Sequence, residues 1–206
     1  MSVAATFAPI ASAVGAAVLL CAVGQHSAAQ TLAPAAERFV VCLACHGPGG
    51  VSQQPLTPSL AGQHSFYAIT QLFLFREGRR HDEAMTEVAK GMSDADLRAF
   101  SDLIGKLPAQ PAATVPNADP ARTTLGATVA ARWHCASCHG NDFAGAQQVP
   151  RLAGQREDYL AKTLTEFRAG KRIGYTGAMA EAMAGVGADD IAVLASYLAQ
   201  FSQKAP

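Results

Sequence analysis

The 206-residue chain has few aromatic residues and no excess of either sign of charge. Phe, Trp and Tyr together make up 7% of the residues, and 16 basic side chains balance 16 acidic ones. A chain of this length forms one ordinary domain or two small ones, and small domains with sparse aromatics gain from a metal or cofactor in the core. The absence of a basic excess argues against a nucleic-acid partner.

The first 29 residues contain no Lys, Arg, Asp or Glu. An apolar run at residues 11–24 is too short to span a bilayer comfortably, and small residues at 27–29 are typical of a cleavage site. We therefore expect a signal peptide at residues 1–29 that is cleaved after Ala29. A membrane anchor formed by the uncleaved segment is the alternative, because the segment has no basic residue near its start.

Beyond this segment, cysteine occurs only in two short motifs, CLACH at Cys42–His46 and CASCH at Cys135–His139. The Cys-x-x-Cys-His pattern is typical of c-type haem attachment, in which both thiols bond to the haem edge and the histidine binds iron. Zinc would need a fourth ligand, and a thioredoxin-like motif would follow a strand, which the sequence does not show. The motifs predict two covalent haems c per chain, attached at Cys42, Cys45, Cys135 and Cys138, with His46 and His139 as iron ligands.

The similarity between the two halves of the chain extends beyond these motifs. PSLAGQ at residues 58–63 matches PRLAGQ at 150–155, and FREGRR at 75–80 matches FRAGKR at 167–172. Retained order with small changes of offset indicates a tandem duplication. Four prolines within residues 107–120 favour an extended connector. We predict a first repeat at residues 30–108, a Pro-rich linker at 109–120 and a second repeat at 121–206.

Each repeat has the pattern of a helical domain. Apolar residues three and four apart predict helices over 65–76 and 157–168, and further helices at 35–44 and 125–136 precede or enter the motifs. A closing helix follows Ser93 in the first repeat and Gly187 in the second, each with acidic residues in its first turn. No segment alternates as a strand would.

The sixth iron ligand is predicted from the duplication. Met/His ligation is usual in electron-transfer cytochromes. Met85 and Met179 occupy equivalent positions in the two repeats, whereas Met92 and Met183 have no methionine counterpart. We therefore predict Met85 and Met179 as ligands. Met183 is the alternative in the second repeat, and His81 is a weaker one in the first.

Two further pairs of residues have candidate roles near the haems. Pro58 and Pro150 follow the motif histidines at similar distances, and their carbonyls could accept a hydrogen bond from the imidazole Nδ1–H. Arg80 and Arg172, at the ends of matching segments, could pair with haem propionates. Exposed basic residues after a helix are also common without such a role.

Together, the paired motifs resemble the two-haem cytochromes c of the cytochrome c4 family. The resemblance rests on CxxCHG, Pro-x-Leu-Ala-Gly-Gln, Phe-Arg-x-Gly-x-Arg and the two methionines, and it extends over the chain after residue 29. It implies an all-α fold of two class I cytochrome c domains related by a pseudo-twofold axis, each wrapped around a covalent haem, with the propionates near each other. It also implies a periplasmic electron carrier, soluble or peripherally associated with the membrane.

Such carriers exchange electrons with other redox proteins, and the family resemblance implies a quinol-oxidising complex or dehydrogenase as donor and a terminal oxidase as acceptor. A dedicated electron-accepting subunit of a periplasmic dehydrogenase complex is an alternative. A two-haem enzyme, such as a peroxidase or a thiosulfate-oxidising cytochrome, would need an open or unusual iron ligand, against which the repeated methionine argues. Residues 30–110 carry a net charge of −1 (7 − 8) and residues 111–206 one of +1 (9 − 8), which would steer a partner only weakly.

The assignment of Met179 can be tested by substitution. In Met179→Ala we expect the haem iron of the second repeat to lose its sixth protein ligand, to become high-spin and to bind carbon monoxide. Absorption spectra of the ferrous protein with and without carbon monoxide measure this. An unchanged low-spin spectrum would move the assignment to Met183.

Overall fold

The computed structural model describes Met1 and residues 34–111, 119–172 and 176–202. The expected signal peptide and most of the expected linker lie outside the described residues. The helices are α1 Ala35–His46, α2 Ser65–Arg76, α3 Glu83–Lys90, α4 Asp94–Gly105, α5 Pro120–Arg132, α6 Ala136–His139, α7 Glu157–Arg168, α8 Ala178–Met183 and α9 Ala188–Gln200, with a 3-10 turn at Pro48–Gly50. Apart from an isolated bridge between Ala146 and Val149, the described residues form no β-structure, so the predicted all-α class is confirmed.

The core of the first repeat lies where α1 and α2 pack against α4. Phe39 of α1 contacts Phe100 of α4 with ring centroids 6.4 Å apart, and Leu72 of α2 lies in the same buried cluster. Each buried side chain of this size stabilises the fold by about 1.5–3 kcal/mol. The small number of such residues agrees with the modest core expected from the composition.

The start of α4 is fixed by hydrogen bonds and charge. Ser93 and Asp96 form a reciprocal capping box, in which each side chain accepts from the other's backbone N–H. Asp96 also pairs with Arg38 of α1. The Arg38 hydrogen bond, together with those from Ser93, lowers the pKa of Asp96 to about 2. The carboxylate is therefore ionised at neutral pH and joins the first and last helices of the repeat.

The second repeat has a corresponding core in which α5 and α7 pack against α9. Val129 of α5 and Leu194 of α9 are among its most completely buried side chains. The helices approach closely at Gly126, where an added Cβ would lie 2.3 Å from Cβ of Tyr197. A side chain at position 126 would therefore push the two helices apart.

The structure corrects the predicted helix at 125–136. The helix α5 begins earlier, at Pro120, because Asp119 accepts a hydrogen bond from the Ala121 N–H and proline is tolerated at the first helical position. It ends at Arg132, since His134 has a φ of +53°, which no α-helix allows. The last proline of the expected linker is thus the first residue of a helix.

The helices that carry Met85 and Met179, α3 and α8, were not predicted either. Both are short, with 8 and 6 residues, and the sequence pattern has too few turns there to show a helical period. The helices predicted at 65–76 and 157–168, and the closing helices after Ser93 and Gly187, are confirmed. No helix among the described residues has the length and apolar character needed to cross a membrane.

The close approach of α5 and α9 gives a stability prediction. We expect Gly126→Ala to lower the free energy of unfolding by about 1–3 kcal/mol, because the new methyl group overlaps Tyr197. Thermal unfolding followed by circular dichroism measures the change. Gly91→Ala is the control, since an added Cβ there meets nothing within 4 Å. Equal melting temperatures for the two variants would show that the helices can separate without cost.

Candidate haem sites

The first motif lies on the last turns of α1. Cys42 is half-buried, Cys45 is exposed and His46 is buried, with 6% of its surface accessible. Positions 42, 45 and 46 share one face of the helix because they are three and four residues apart. Gly47 then ends the helix with a φ of +81°, and an added Cβ would lie 2.0 Å from the Val51 carbonyl oxygen. The glycine therefore lets the chain turn away directly after the histidine.

The second motif is built differently but reaches the same arrangement. Here α5 has already ended, and Cys135 lies before the single turn of α6 that ends at His139. Cys135 is half-buried, Cys138 is exposed and His139 is 7% accessible. Gly140 repeats the turn of Gly47, with a φ of +79°.

The buried histidines donate to the carbonyls of the two candidate prolines. His46 Nδ1 lies 2.8 Å from Pro58 O, and His139 Nδ1 lies 3.0 Å from Pro150 O. A proton on Nδ1 leaves Nε2 of each ring unprotonated and available to a metal. Burial lowers the pKa of both imidazoles, although the hydrogen bond to proline opposes this effect. Both rings are therefore neutral at pH 7, the form that binds iron.

The four motif cysteines form no disulfide with one another. Burial raises the pKa of the Cys42 and Cys135 thiols, so both are protonated at neutral pH. Thiols that are not paired in a disulfide suit thioether attachment. Among the described residues, no group of three or more His, Cys, Asp or Glu side chains is placed to hold a bare metal ion. The residues present fit a covalently bound haem better than a zinc site.

The candidate methionines lie in similar surroundings. Met85, near the start of α3, and Met179, near the start of α8, are both half-buried and pack against the core of their own repeat. Met183 is 4% accessible within the buried cluster of the second repeat. His81 is exposed. These positions are compatible with the predicted ligands.

Arg80 and Arg172 meet two tyrosines where the repeats contact each other. Arg80 donates to the hydroxyl of Tyr159 at 2.9 Å, and Arg172 donates to that of Tyr67 at 3.2 Å. Arg172 also contacts Tyr159 at 3.4 Å. We call these four residues the interface cluster. Since residues 67 and 159, and 80 and 172, are equivalent in the two repeats, the contacts are reciprocal, as a pseudo-twofold arrangement requires.

The interface cluster contains two positive charges, those of Arg80 and Arg172, that no direct ion pair in the described part of the chain neutralises. Neither arginine forms an ion pair with a carboxylate among the described residues, although Arg172 is only 5% accessible. Burial would raise the pKa of Tyr159, but the charges of Arg80 and Arg172 outweigh it and lower the pKa to about 7. Burial raises the pKa of Tyr67. The two arginines at these hydroxyls would favour an anionic group in the cluster.

The sequence interpretation gave no role to either tyrosine. Their recurrence at equivalent positions was the only signal, and recurrence does not distinguish a core residue from one at an interface. The same holds for Gln63 and Gln155, which are buried and hydrogen-bond across the repeats.

Comparison with known proteins agrees with this geometry. The family model described as cytochrome c matches residues 123–202. With two copies of the Cys-x-x-Cys-His arrangement on helical repeats, the chain is a c-type cytochrome with two covalently attached haems.

The relatives identify the family. The chain is 36% identical over 175 residues to cytochrome c4 of Thiocapsa roseopersicina, a match that spans 79% of this chain and 88% of that protein. It is similar to the crystal structure of reduced recombinant cytochrome c4 from Pseudomonas stutzeri, with a TM-score of 0.73 and 30% identity over 82% of this chain and 97% of that one. The chain belongs to the cytochrome c4 family and is an electron-transfer protein.

A further relative has a more specific description. The thiosulfate dehydrogenase electron acceptor of Stutzerimonas stutzeri strain A1501 is 31% identical over 178 residues, which cover 80% of this chain and 81% of that protein.

The unbalanced charge of the interface cluster can be tested with Arg172→Met. We expect the free energy of unfolding to fall by about 1–3 kcal/mol, because the hydroxyls of Tyr67, Tyr159 and Thr163 lose a charged donor. We also expect a lower haem reduction potential, because a nearby positive charge favours the reduced iron. Thermal unfolding and spectroelectrochemistry measure the two effects. Lys171→Met removes the same charge from an exposed position, and equal shifts in both variants would contradict a specific role for Arg172.

Proposed function

We propose that the chain is a periplasmic electron carrier in which His46 and Met85 bind one haem iron and His139 and Met179 bind the other. The observation that carries the proposal is the twofold occurrence of one arrangement: a buried histidine held by a proline carbonyl beside a half-buried and an exposed cysteine. When bound, haem supplies a one-electron redox centre. The protein positions the two centres and keeps them apart from bulk water.

The placement of the motifs in different repeats supports separate places for electron entry and exit. Cys45 and Cys138 belong to the first and second repeat, whereas the interface cluster lies between the repeats. A haem attached at each motif would have one edge near the surface, where a redox partner can approach. We propose that its propionates face the interface cluster, where Arg80 and Arg172 supply positive charge.

Each haem iron would be held by one histidine and one methionine of the protein. A carrier of this kind has no open site for a substrate, so we propose that it performs no bond chemistry. Met85 and Met179 are central to this conclusion because either one, if absent from the iron, would leave a position where a small ligand could bind.

The proposed donor is a quinol-oxidising complex or a periplasmic dehydrogenase, and the proposed acceptor is a terminal oxidase. The similarity to a thiosulfate dehydrogenase electron acceptor supports a second candidate, a cytochrome that serves one dehydrogenase. The same haem sites would suit both functions, which differ only in the partner.

The axial ligands can be tested on the purified protein with its haems attached. We expect both haems to be low-spin in both oxidation states, and we expect no rapid binding of carbon monoxide or cyanide. Absorption and electron paramagnetic resonance spectra measure this. A high-spin fraction of about half the haem in the unmodified protein would contradict the proposal and favour an enzyme.

Copurification distinguishes the two candidate roles. A free carrier elutes alone in gel filtration of a native extract, and it is reduced by a quinol-oxidising complex at low ionic strength. A dedicated acceptor elutes with a flavin- or molybdenum-containing subunit and is reduced on addition of that subunit's substrate. Elution without any partner, together with no reduction by quinol, would contradict both.

A further inference from the structure

Two glutamines join the repeats reciprocally. Gln155 accepts from the Ser59 N–H through Oε1 at 2.8 Å and donates through Nε2 to Ser59 O at 2.9 Å. Gln63 accepts from the Arg151 N–H at 3.2 Å and donates to Arg151 O at 2.8 Å. Each side chain thus binds both backbone groups of one residue in the opposite repeat. Both glutamines are buried: Gln63 has 8% of its surface accessible and Gln155 has 7%.

The residues they bind directly follow the prolines that accept from the haem-site histidines. The Ser59 N–H and the Pro58 carbonyl belong to one peptide group, as do the Arg151 N–H and the Pro150 carbonyl. One peptide group therefore accepts from His46 Nδ1 at its oxygen and donates to Gln155 at its nitrogen. The other does the same between His139 and Gln63.

We propose that Gln155 is a positioning residue for the haem bound at His46, and that Gln63 is one for the haem bound at His139. Each glutamine belongs to the repeat opposite the haem it influences. The inference rests on the proposed ligation of iron by the two histidines. It adds a crossed connection, through which each iron depends on the fold of the other repeat.

The physical basis is the polarisation of a peptide group. An amide whose N–H already donates becomes a better acceptor at its oxygen, since hydrogen bonds in series strengthen one another. A stronger bond from the imidazole Nδ1–H makes the ring a more basic ligand, which favours oxidised iron. The glutamine therefore lowers the reduction potential of the haem in the other repeat.

The glutamine also fixes the orientation of the carbonyl. The bond to the N–H restrains the peptide plane that contains the proline carbonyl, and the bond to the C=O of the same residue restrains the next peptide plane. The planes next to Pro58 and Pro150 are held in this way by a side chain, in loops that lack regular secondary structure. No buried side-chain nitrogen or oxygen among the described residues lacks a partner, so the arrangement is fully satisfied.

The test uses Gln155→Met, which keeps the side-chain length and removes the two hydrogen bonds to Ser59, together with the one that Oε1 accepts from the Arg156 N–H. We expect the redox equilibrium constant of the haem at His46 to shift about twofold toward the reduced form, which raises its potential by about 18 mV at 59 mV per tenfold for a one-electron couple. The potential of the haem at His139 should not change. Gln63→Met should raise only the potential of the haem at His139. Gln155→Glu keeps the acceptor for the Ser59 N–H and should leave the first potential equal or lower.

The two haems are distinguished by a second substitution. Met179→His, placed in every protein of the series, gives the haem at His139 a separate spectrum and a lower potential, so the remaining wave belongs to the haem at His46. If this substitution has no spectral effect, Met179 is not the iron ligand. That result would contradict the proposed ligation and would not bear on the connection between Gln155 and the haem at His46. Nuclear magnetic resonance of the His46 Nδ1–H gives a second readout, because loss of polarisation should move its signal upfield.

The matched control is His64→Leu. His64 Nε2 also bonds across the repeats, at 2.9 Å to Ala144 O, but its side chain forms no hydrogen bond with either proline peptide. We expect this variant to leave both potentials unchanged. A Gln155→Met protein that shifts the haem of its own repeat, shifts neither haem, or matches His64→Leu would overturn the proposal. If Gln155→Met does not retain its haems, the Gln155→Glu and Gln63→Met proteins decide the question.

Discussion

The organisation of both repeats depends on one hydrogen bond, from a buried imidazole Nδ1–H to a proline carbonyl. It selects the tautomer, leaves Nε2 for the metal and satisfies the polar atom of a side chain that lies almost out of solvent. The surrounding features serve this contact. The helix brings the histidine and the cysteines to one face, and the glycine that follows turns the chain. The loop then returns the proline to the ring. Because the ring stays neutral when buried, it can bind iron without first losing a proton at pH 7.

The contacts between the repeats are reciprocal, because they join residues that are equivalent in the duplication. Equivalent side chains bind equivalent partners in opposite directions, both in the interface cluster and at the two glutamines. These contacts place two arginines near each other where neither pairs directly with a carboxylate of the described residues, although the charge of Glu166 acts on Arg172. The repeats form one compact unit, and the positive charge between them is the basis of the proposed pairing with haem propionates.

Much of this arrangement could be predicted from the sequence, because the duplication acts as an internal comparison. The helical class and the helices at 65–76 and 157–168 follow from apolar periodicity, and the haem motifs are specific in themselves. The break at His134 could not be predicted, since nothing in ARWHC forbids a continuous helix and only the packing of Trp133 against Asp190 and Gly185 accompanies it. The partners that Gln63 and Tyr159 have in the opposite repeat could not be predicted, because a periodic pattern carries no information about contacts between domains.

The reciprocal hydrogen bonds have a consequence for how the two halves can diverge. The helix that closes the first repeat begins with a capping box at Ser93, whereas its counterpart begins at Gly187 without any side-chain cap. That difference stays within one repeat and affects it alone. A change at Gln63 or Gln155 would instead remove hydrogen bonds to the backbone of the opposite repeat. The outer helices of the two repeats can therefore change independently of each other. Residues along the surface where the repeats meet cannot, because each change there affects both repeats.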